Sequence, residues 1–423
     1  MDVKKANELI MAGSTGQSSA ARLIEIARSS FNKVSSMESF DNLSELNKFF
    51  NGGHFNLTGN EIKDVELVIL LLASSNDISN QRLDRASKFL NLCDFLSSNV
   101  GTTIQRVVHY FSKALRDKID REDWVTSSKT GGDTNNKLSH PDETMVSLSP
   151  ALITCSLKLP FIQVTQFAGL QAIIESVASS KRVHFIDMAI RSGVQCISLM
   201  QALATRDEPR IELLKITAIG TTLQTKIEET VMVTNLEHID VNLFELNDDE
   251  SVVVSSRLLL RNTLRQPGSL ESMMRMFKNL NPCIVVITEF ETDHTSGIFL
   301  DRFSQALTFY TAFFNCLEDC MDKTDENRKV LEGSYLGEEI KNIVAAGNDD
   351  RIFMDMKIEE WRSLFTSFGM METELSSSAL YQADLVAKQF DPGNSCSCNM
   401  NEKSLVVNWK GTPIVSLSTW KLC

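Results

Sequence analysis

No stretch of this chain is both long enough and apolar enough to cross a bilayer. The longest strongly apolar run is LVILLLA, Leu67–Ala73, whereas a spanning helix needs about 20 such residues. The opening MDVKKANELIMAG has neither a long apolar core nor a small-residue cleavage site, so no secretory leader is expected. Glycine-rich phosphate cradles are missing too. Neither GxGxxG nor GxxxxGK[ST] occurs, and GxSxG and HExxH are also absent, which removes the usual signatures of nucleotide binding, serine hydrolysis and zinc proteolysis. Positive charge is scarce: Lys plus Arg total 42 against 55 Asp plus Glu, a formal net charge of −13, with no run of five basic residues. Such a balance disfavours non-specific nucleic-acid binding through the overall field. The nine cysteines are odd in number and irregular in spacing, which fits reduced thiols better than a disulfide framework. Cys316 with Cys320, and Cys396 with Cys398, lack a second pair at finger-like spacing, so no metal is expected.

What is present is ample core material. Hydrophobic residues make up 43% and charged residues 23% of 423, which excludes a fully disordered chain and allows two or three structural units. Residues 2–12 and 19–34 have helical spacing. From Asp64 three strongly helical stretches follow: one carrying LVILLLASS, then Gln81–Ser97, then a helix from just after Gly101 to about Asp120 with Ile104, Val107, Val108, Phe111, Ala114 and Leu115 on one face. Residues 126–143, TSSKTGGDTNNKLSHPDE, read as a loop, and a further helix is expected over 162–178.

The pattern then becomes α/β. VHFIDM (183–188), LLKITAI (213–219), VMVT (231–234), VVVS (252–255) and CIVVIT (283–288) are short apolar runs separated mostly by helical segments. That arrangement predicts a mostly parallel sheet covered on both faces. A long helix is expected over 299–321, and further helices near 335–346 and 357–368. Residues 379–386, 404–409 and 414–417 read as strands and DPGNSCSCNMNEK as a loop, so the ending would add antiparallel strands at the sheet edge.

In open α/β sheets ligands sit beyond strand carboxyl ends at a switch in strand order. Here that places Asp187 and Gly193 at the first candidate crevice. The turn has one glycine, so cofactor binding there is the weaker reading and capping or pairing by Asp187 the stronger. His184, alone in an apolar strand, reads as a structural group. Glu289 and Glu291 flank Phe290 and read as capping or salt-bridging carboxylates rather than an acid–base pair. Leu67, Leu70 and Leu71 form LxxLL on a helix, either buried core or a docking face.

Several of these segments together resemble the plant GRAS family of transcriptional regulators, over about Glu66 to Cys423. VHFID, with Val183, His184, Ile186 and Asp187, is similar to the family's VHIID motif, and Gly193 and Gln195 follow at the expected spacing. DRASKFLNLCDFLSS and QRVVHYFSKAL resemble its first leucine-rich region, and Leu157–Ala178 resembles the start of the second block. CIVVITEFE after Pro282, FLDRF with Arg302, and ALTFYTAFFNCLE resemble the PFYRE block, where Arg351 is retained. WRSLFTSFGM and WKGTPIVSLSTWK, with Trp361, Trp409 and Trp420, resemble the closing SAW motif.

The resemblance implies a helical cap on a Rossmann-like, methyltransferase-like core. The division would be a variable head at 1–60, a cap at 61–125 and a core at 150–423. It also implies a nuclear, non-enzymatic regulator without a cofactor. Its partners would be other GRAS proteins or DNA-binding transcription factors, with homo- or heterodimerisation in scope, direct DNA contact left open and no membrane. Four departures stand out: Cys196 where tryptophan is usual, a shortened junction at Thr230–Val231, Met354-Asp355-Met356 in place of a basic-acidic cluster, and no DELLA motif in the head. The alternatives are an S-adenosylmethionine enzyme on the same core, and a decayed paralogue.

Overall fold

The computed structural model describes residues 20–34, 57–128, 150–190, 192–220, 231–233, 241–264, 268–347, 350–390 and 395–422. The expected helix at 2–12, most of the 126–143 loop, and the 221–230 connection that leads into the Thr230–Val231 junction lie outside them. The chain divides into two compact units.

The helical unit takes in Met1–Asp133, Gly297–Asp319 and Tyr335–Ala346. Its central helix is Gly59–Ser79. Thr58 starts it with a capping box, its hydroxyl accepting from Glu61 N while Glu61 Oε2 accepts from Thr58 N at 2.7 Å. From Leu67 to Ala73 every residue of this helix is buried, and the helices Ala20–Val34, Leu83–Leu96 and Thr103–Ser128 pack around it. A helix apolar on all sides belongs in an interior. The Phe299–Cys320 helix adds an aromatic layer: Phe111 meets Phe303 edge-on at 5.5 Å and Tyr310 at 6.3 Å. The Thr103–Ser128 helix runs beyond the expected end near Asp120 and absorbs the first residues of the expected loop.

The second unit holds Thr134–Ser296, Cys320–Ser334 and Gly347–Cys423. Its strands are β1 (Arg182–Asp187), β2 (Leu213–Gly220), β3 (Val231–Val233), β4 (Ser251–Arg257), β5 (Ile284–Phe290), β6 (Met370–Thr373), β7 (Cys396–Asn401), β8 (Ser404–Trp409) and β9 (Thr412–Leu422). They form one mixed sheet in the order β3-β2-β1-β4-β5-β9-β8-β7, with β6 beside β9. The first five strands are parallel; β6 to β9 join antiparallel. The fold is α/β and Rossmann-like, and the order reverses between β1 and β4.

Alternation along β5 assigns the two faces of the sheet. Val285 and Ile287 point into a core with Val252 and Val254 of β4, Trp361 and Phe365 of the Ile358–Ser367 helix, and Trp420 of β9. Val286 points the other way, toward the Pro160–Ser176 helix. A Cβ built on Gly169 of that helix would lie 3.2 Å from Val286 Cγ1, so only glycine lets helix and sheet approach this closely.

Two expectations for the tail are corrected. Residues 379–386 are not a strand but part of the helix Ser377–Gln389. Ser376 caps it, its hydroxyl accepting from Ala379 N at 3.0 Å, and Ala379, Ala383, Val386 and Ala387 bury one helical face. The expected loop at DPGNSCSCNMNEK contains β7, Cys396–Asn401, paired to β8 through a tight turn at Glu402–Lys403. Among the described residues no single helix is long and apolar enough to cross a membrane.

Candidate functional site

The switch between β1 and β4 is where this architecture offers a ligand crevice. β1 brings Asp187 there, β4 brings Ser255 and Arg257, and the Val194–Ala204 helix brings Gln195; His184 lies further back on β1, opposite Lys215 of β2 and Val252 of β4. Gly193 stands at the start of that helix with φ +69°, the left-handed region that glycine adopts without strain.

The first three amides after β1 are turned to the protein itself. Met188 N donates to Ser255 O at 2.9 Å, Ala189 N to Asp187 Oδ1 at 3.1 Å, and Ile190 N to Ile219 O at 3.1 Å. Three successive N–H groups are thus engaged by the protein. Beside them a side-chain relay crosses the crevice: Gln195 donates from Nε2 to Ser255 Oγ at 3.1 Å, and Arg257 donates to Gln195 Oε1 at 3.2 Å and Gln166 Oε1 at 3.4 Å. Asp187 is buried and its Oδ1 accepts from Ala189 N two residues on, shaping its own turn. His184 is fully buried with Nε2 2.8 Å from the Thr217 hydroxyl and Nδ1 3.7 Å from Glu250. Burial, with Lys215 assisting against Glu250, lowers its pKa to about 4, so the ring is neutral at pH 7. Val183 and Ile186 are core residues of β1.

A second polar cluster lies beyond β5, and sequence reasoning missed most of it. Arg261 makes a two-pronged pair with Asp355, Nε to Oδ1 at 2.9 Å and Nη2 to Oδ2 at 3.1 Å. Its guanidinium lies 4.0 Å from the Phe353 ring centroid and 4.9 Å from that of Phe290. His294 Nδ1 sits 2.8 Å from Asp355 Oδ2, and Arg351 donates to the His294 carbonyl. All four charged or titratable side chains are buried. Burial alone would raise the Asp355 pKa, but Arg261 and the His294 hydrogen bond hold it below the usual carboxylate range.

The two β5 carboxylates cap separate segments. Glu289 Oε1 accepts from Leu259 N and Leu260 N, both at 2.9 Å, and Glu291 accepts from Ile358 N at the start of the Ile358–Ser367 helix. Glu289, two residues after Ile287, shares the sheet face of Val285 and Ile287. Burial raises Glu289 to about 8 and Glu291 to about 7. The substitution of Met354-Asp355-Met356 for a basic-acidic cluster therefore leaves an acidic residue with a structural partner. Arg261 carries no motif of its own; in the sequence it is the middle arginine of RLLLRNTLR, just after an apolar strand.

The remaining motif residues are interior ones. Trp361 stacks on Phe365 at 5.4 Å, Trp420 meets Phe365 edge-on at 5.0 Å and donates from Nε1 to Ser418 Oγ at 2.8 Å, and Trp409 ends β8, buried. Arg302, in the helical unit, donates from Nε to Ile343 O at 2.8 Å and so closes the end of the Glu338–Val344 helix. Leu67, Leu70 and Leu71 are buried at 2%, 1% and 0% exposure. Of the two readings of LxxLL this matches buried core, because the folded helix presents none of the three leucines outward. Among the described residues no group of three or more His, Cys, Asp or Glu is placed to hold a metal ion.

A family model described as the GRAS domain family matches residues 67–232 and 222–421. The chain belongs to the GRAS domain family. It is 28% identical to DELLA protein GAI1 of Vitis vinifera over 386 residues, 85% of this chain and 62% of that protein. It is likewise 28% identical to DELLA protein RGA of Arabidopsis thaliana over 394 residues, 86% and 63% of the two chains. This GRAS chain therefore spans a little under two thirds of the length of these curated relatives. The crystal structure of SCL7 in Oryza sativa superposes with a TM-score of 0.72 at 23% identity, covering 84% of this chain and 99% of that one. That likeness shows a shared GRAS fold.

Proposed function

We propose that this GRAS chain is a nuclear transcriptional regulator that acts through protein contacts and not through catalysis. The family match over 67–421 carries the reading. The turn after β1 supports its non-enzymatic half: the amides of Met188, Ala189 and Ile190 are taken by Ser255 O, Asp187 Oδ1 and Ile219 O, and Gln195 and Arg257 bridge the crevice with their own hydrogen bonds. A methyl donor's adenosine and amino-acid groups would compete with bonds the protein already makes.

The partners are other GRAS chains or DNA-binding transcription factors, and the helical unit is the contact unit. Its surface offers Phe95 at 85% exposure and Val100 at 73%, next to the half-open Leu96, at the end of the Leu83–Leu96 helix. An aromatic side chain left almost wholly in water is the kind of anchor that interfaces bury. This corner replaces the buried leucines as the partner surface.

The test is a reporter assay in plant cells with the chain tethered to a heterologous DNA-binding domain. Wild type should change reporter output, and the double substitution Phe95→Asp with Val100→Asp should abolish the change while leaving circular dichroism intact. No change from folded wild-type chain overturns the regulator reading. A thermal shift with S-adenosylhomocysteine would favour the methyltransferase alternative instead.

A further inference from the structure

The Glu289 side chain is fully buried at the end of β5, and its two oxygens are treated unequally. Oε1 accepts two backbone N–H groups, those of Leu259 and Leu260, at the head of the connection that leaves β4. Oε2 is buried without a hydrogen-bond donor. An ionised carboxylate wants donors on both oxygens, and one left bare in an interior is costly.

The charged and titratable groups around it offer no relief. From the connection comes Arg261, already paired two-pronged with Asp355 and packed between Phe290 and Phe353. From the segment before the Ile358–Ser367 helix comes Asp355 itself, negative and held by Arg261 and His294. Just past the end of β5, Glu291 is turned to Ile358 N. On this face β4 offers Val252, Val254 and Ser256 and β9 offers Ser416 and Ser418, none of them charged. Among the described residues the neighbouring cation is Arg261, and it is paired with a different carboxylate.

The geometry points to Glu289 as a proton-operated latch: with its proton it fastens the Leu258–Leu264 connection to the end of β5, and on losing that proton it works against the burial of this corner. The acid form keeps the Oε1 acceptor for both amides and removes the buried negative charge beside Asp355. Burial, the largest influence, raises its pKa to about 8 against 4.5 in solvent, consistent with this picture. The folded corner therefore holds its proton to higher pH than the opened one. Its stabilisation is complete at acid pH and declines as pH rises from 4.5 towards 8.

The test is amide hydrogen exchange at Leu259 and Leu260 in the full chain, corrected for intrinsic base catalysis. Their protection should fall about tenfold between pH 6 and 7 in wild type, the limit for one proton, and less steeply towards 8. In Glu289→Gln, which keeps the acceptor without the charge, it should stay level. The background should be Glu291→Gln, to remove the second buried acid. Equal slopes in the two chains would overturn the latch. If Glu289→Gln fails to fold, the infrared C=O stretch of a protonated glutamic acid should be visible at pH 7 in the Glu291→Gln chain and should disappear as pH rises past 8. No such band at pH 7 overturns the proposal as well.

Discussion

At the end of β1 the cross-crevice bonds run through amide, hydroxyl and backbone groups, with Arg257 the one cation among them. At the end of β5 Arg261, Arg351, His294, Asp355, Glu289 and Glu291 crowd into one buried corner. By position the β1 corner is where an α/β enzyme would keep its ligand. By chemistry the β5 corner has more of the marks of an active site, with strongly shifted carboxylates close to arginine and histidine. Yet every bond traced in the β5 corner ties one chain segment to another: Glu289 to the connection after β4, Glu291 to the Ile358–Ser367 helix, Arg351 to the His294 carbonyl. Perturbed pKa values here mark a structural joint. The comparison teaches that burial and charge alone do not identify chemistry; what they hold in place does.

The largest way to break this contrast is Asp355→Ala. It would take from Arg261 and His294 the buried carboxylate that both contact. Removing one partner of a buried ion pair typically costs about 3–5 kcal/mol. Urea unfolding should show a loss of that size; a loss under about 1 kcal/mol would mean that the corner opens to water and is no joint.

The next test sets acid against alkali within the same unit. His184 is neutral when folded, with a pKa of about 4 against 6.5 in solvent. The unfolded chain therefore takes up the proton first, and stability is lost as pH falls from 6.5 towards 4, at about 1.4 kcal/mol per pH unit at most. Glu289 has the opposite sign, losing stability as pH rises. His184→Asn should flatten the acid limb relative to wild type and leave the alkaline limb alone. A variant with an unchanged acid limb would show that the ring is already solvated in the folded chain.

The two corners were also unequally legible. β1, β2, β4 and β5 are apolar runs that announce a buried parallel sheet, and Asp187 and Gly193 could be placed at the first crevice from spacing alone. The charged corner could not be, because Arg261, His294 and Asp355 come from three separate segments and meet only through tertiary packing. β7 was missed for a related reason. CSCNMN has little strand character of its own and pairs because the turn at Glu402–Lys403 folds it onto β8. The Ser377–Gln389 helix, by contrast, was open to reading: Ser376 is a capping residue, and the alanines at 379, 383 and 387 recur at helical spacing.

The smallest effect belongs to the β1 corner. Gln195→Ala would remove the relay between Ser255 and Arg257 without burying a new charge. A net hydrogen bond contributes about 1 kcal/mol, so unfolding should shift by roughly one to two such bonds, well below the Asp355→Ala loss. Arg257 would keep its bond to Gln166. The backbone bonds of Met188, Ala189 and Ile190 do not depend on Gln195 and should persist. Opening the side-chain relay alone should therefore not create a nucleotide cradle, and S-adenosylhomocysteine should leave the variant's melting temperature where it was. If the variant gains a ligand-induced shift that wild type lacks, then Gln195 is the plug of a working crevice, and the closure of this corner rests on one side chain rather than on its backbone.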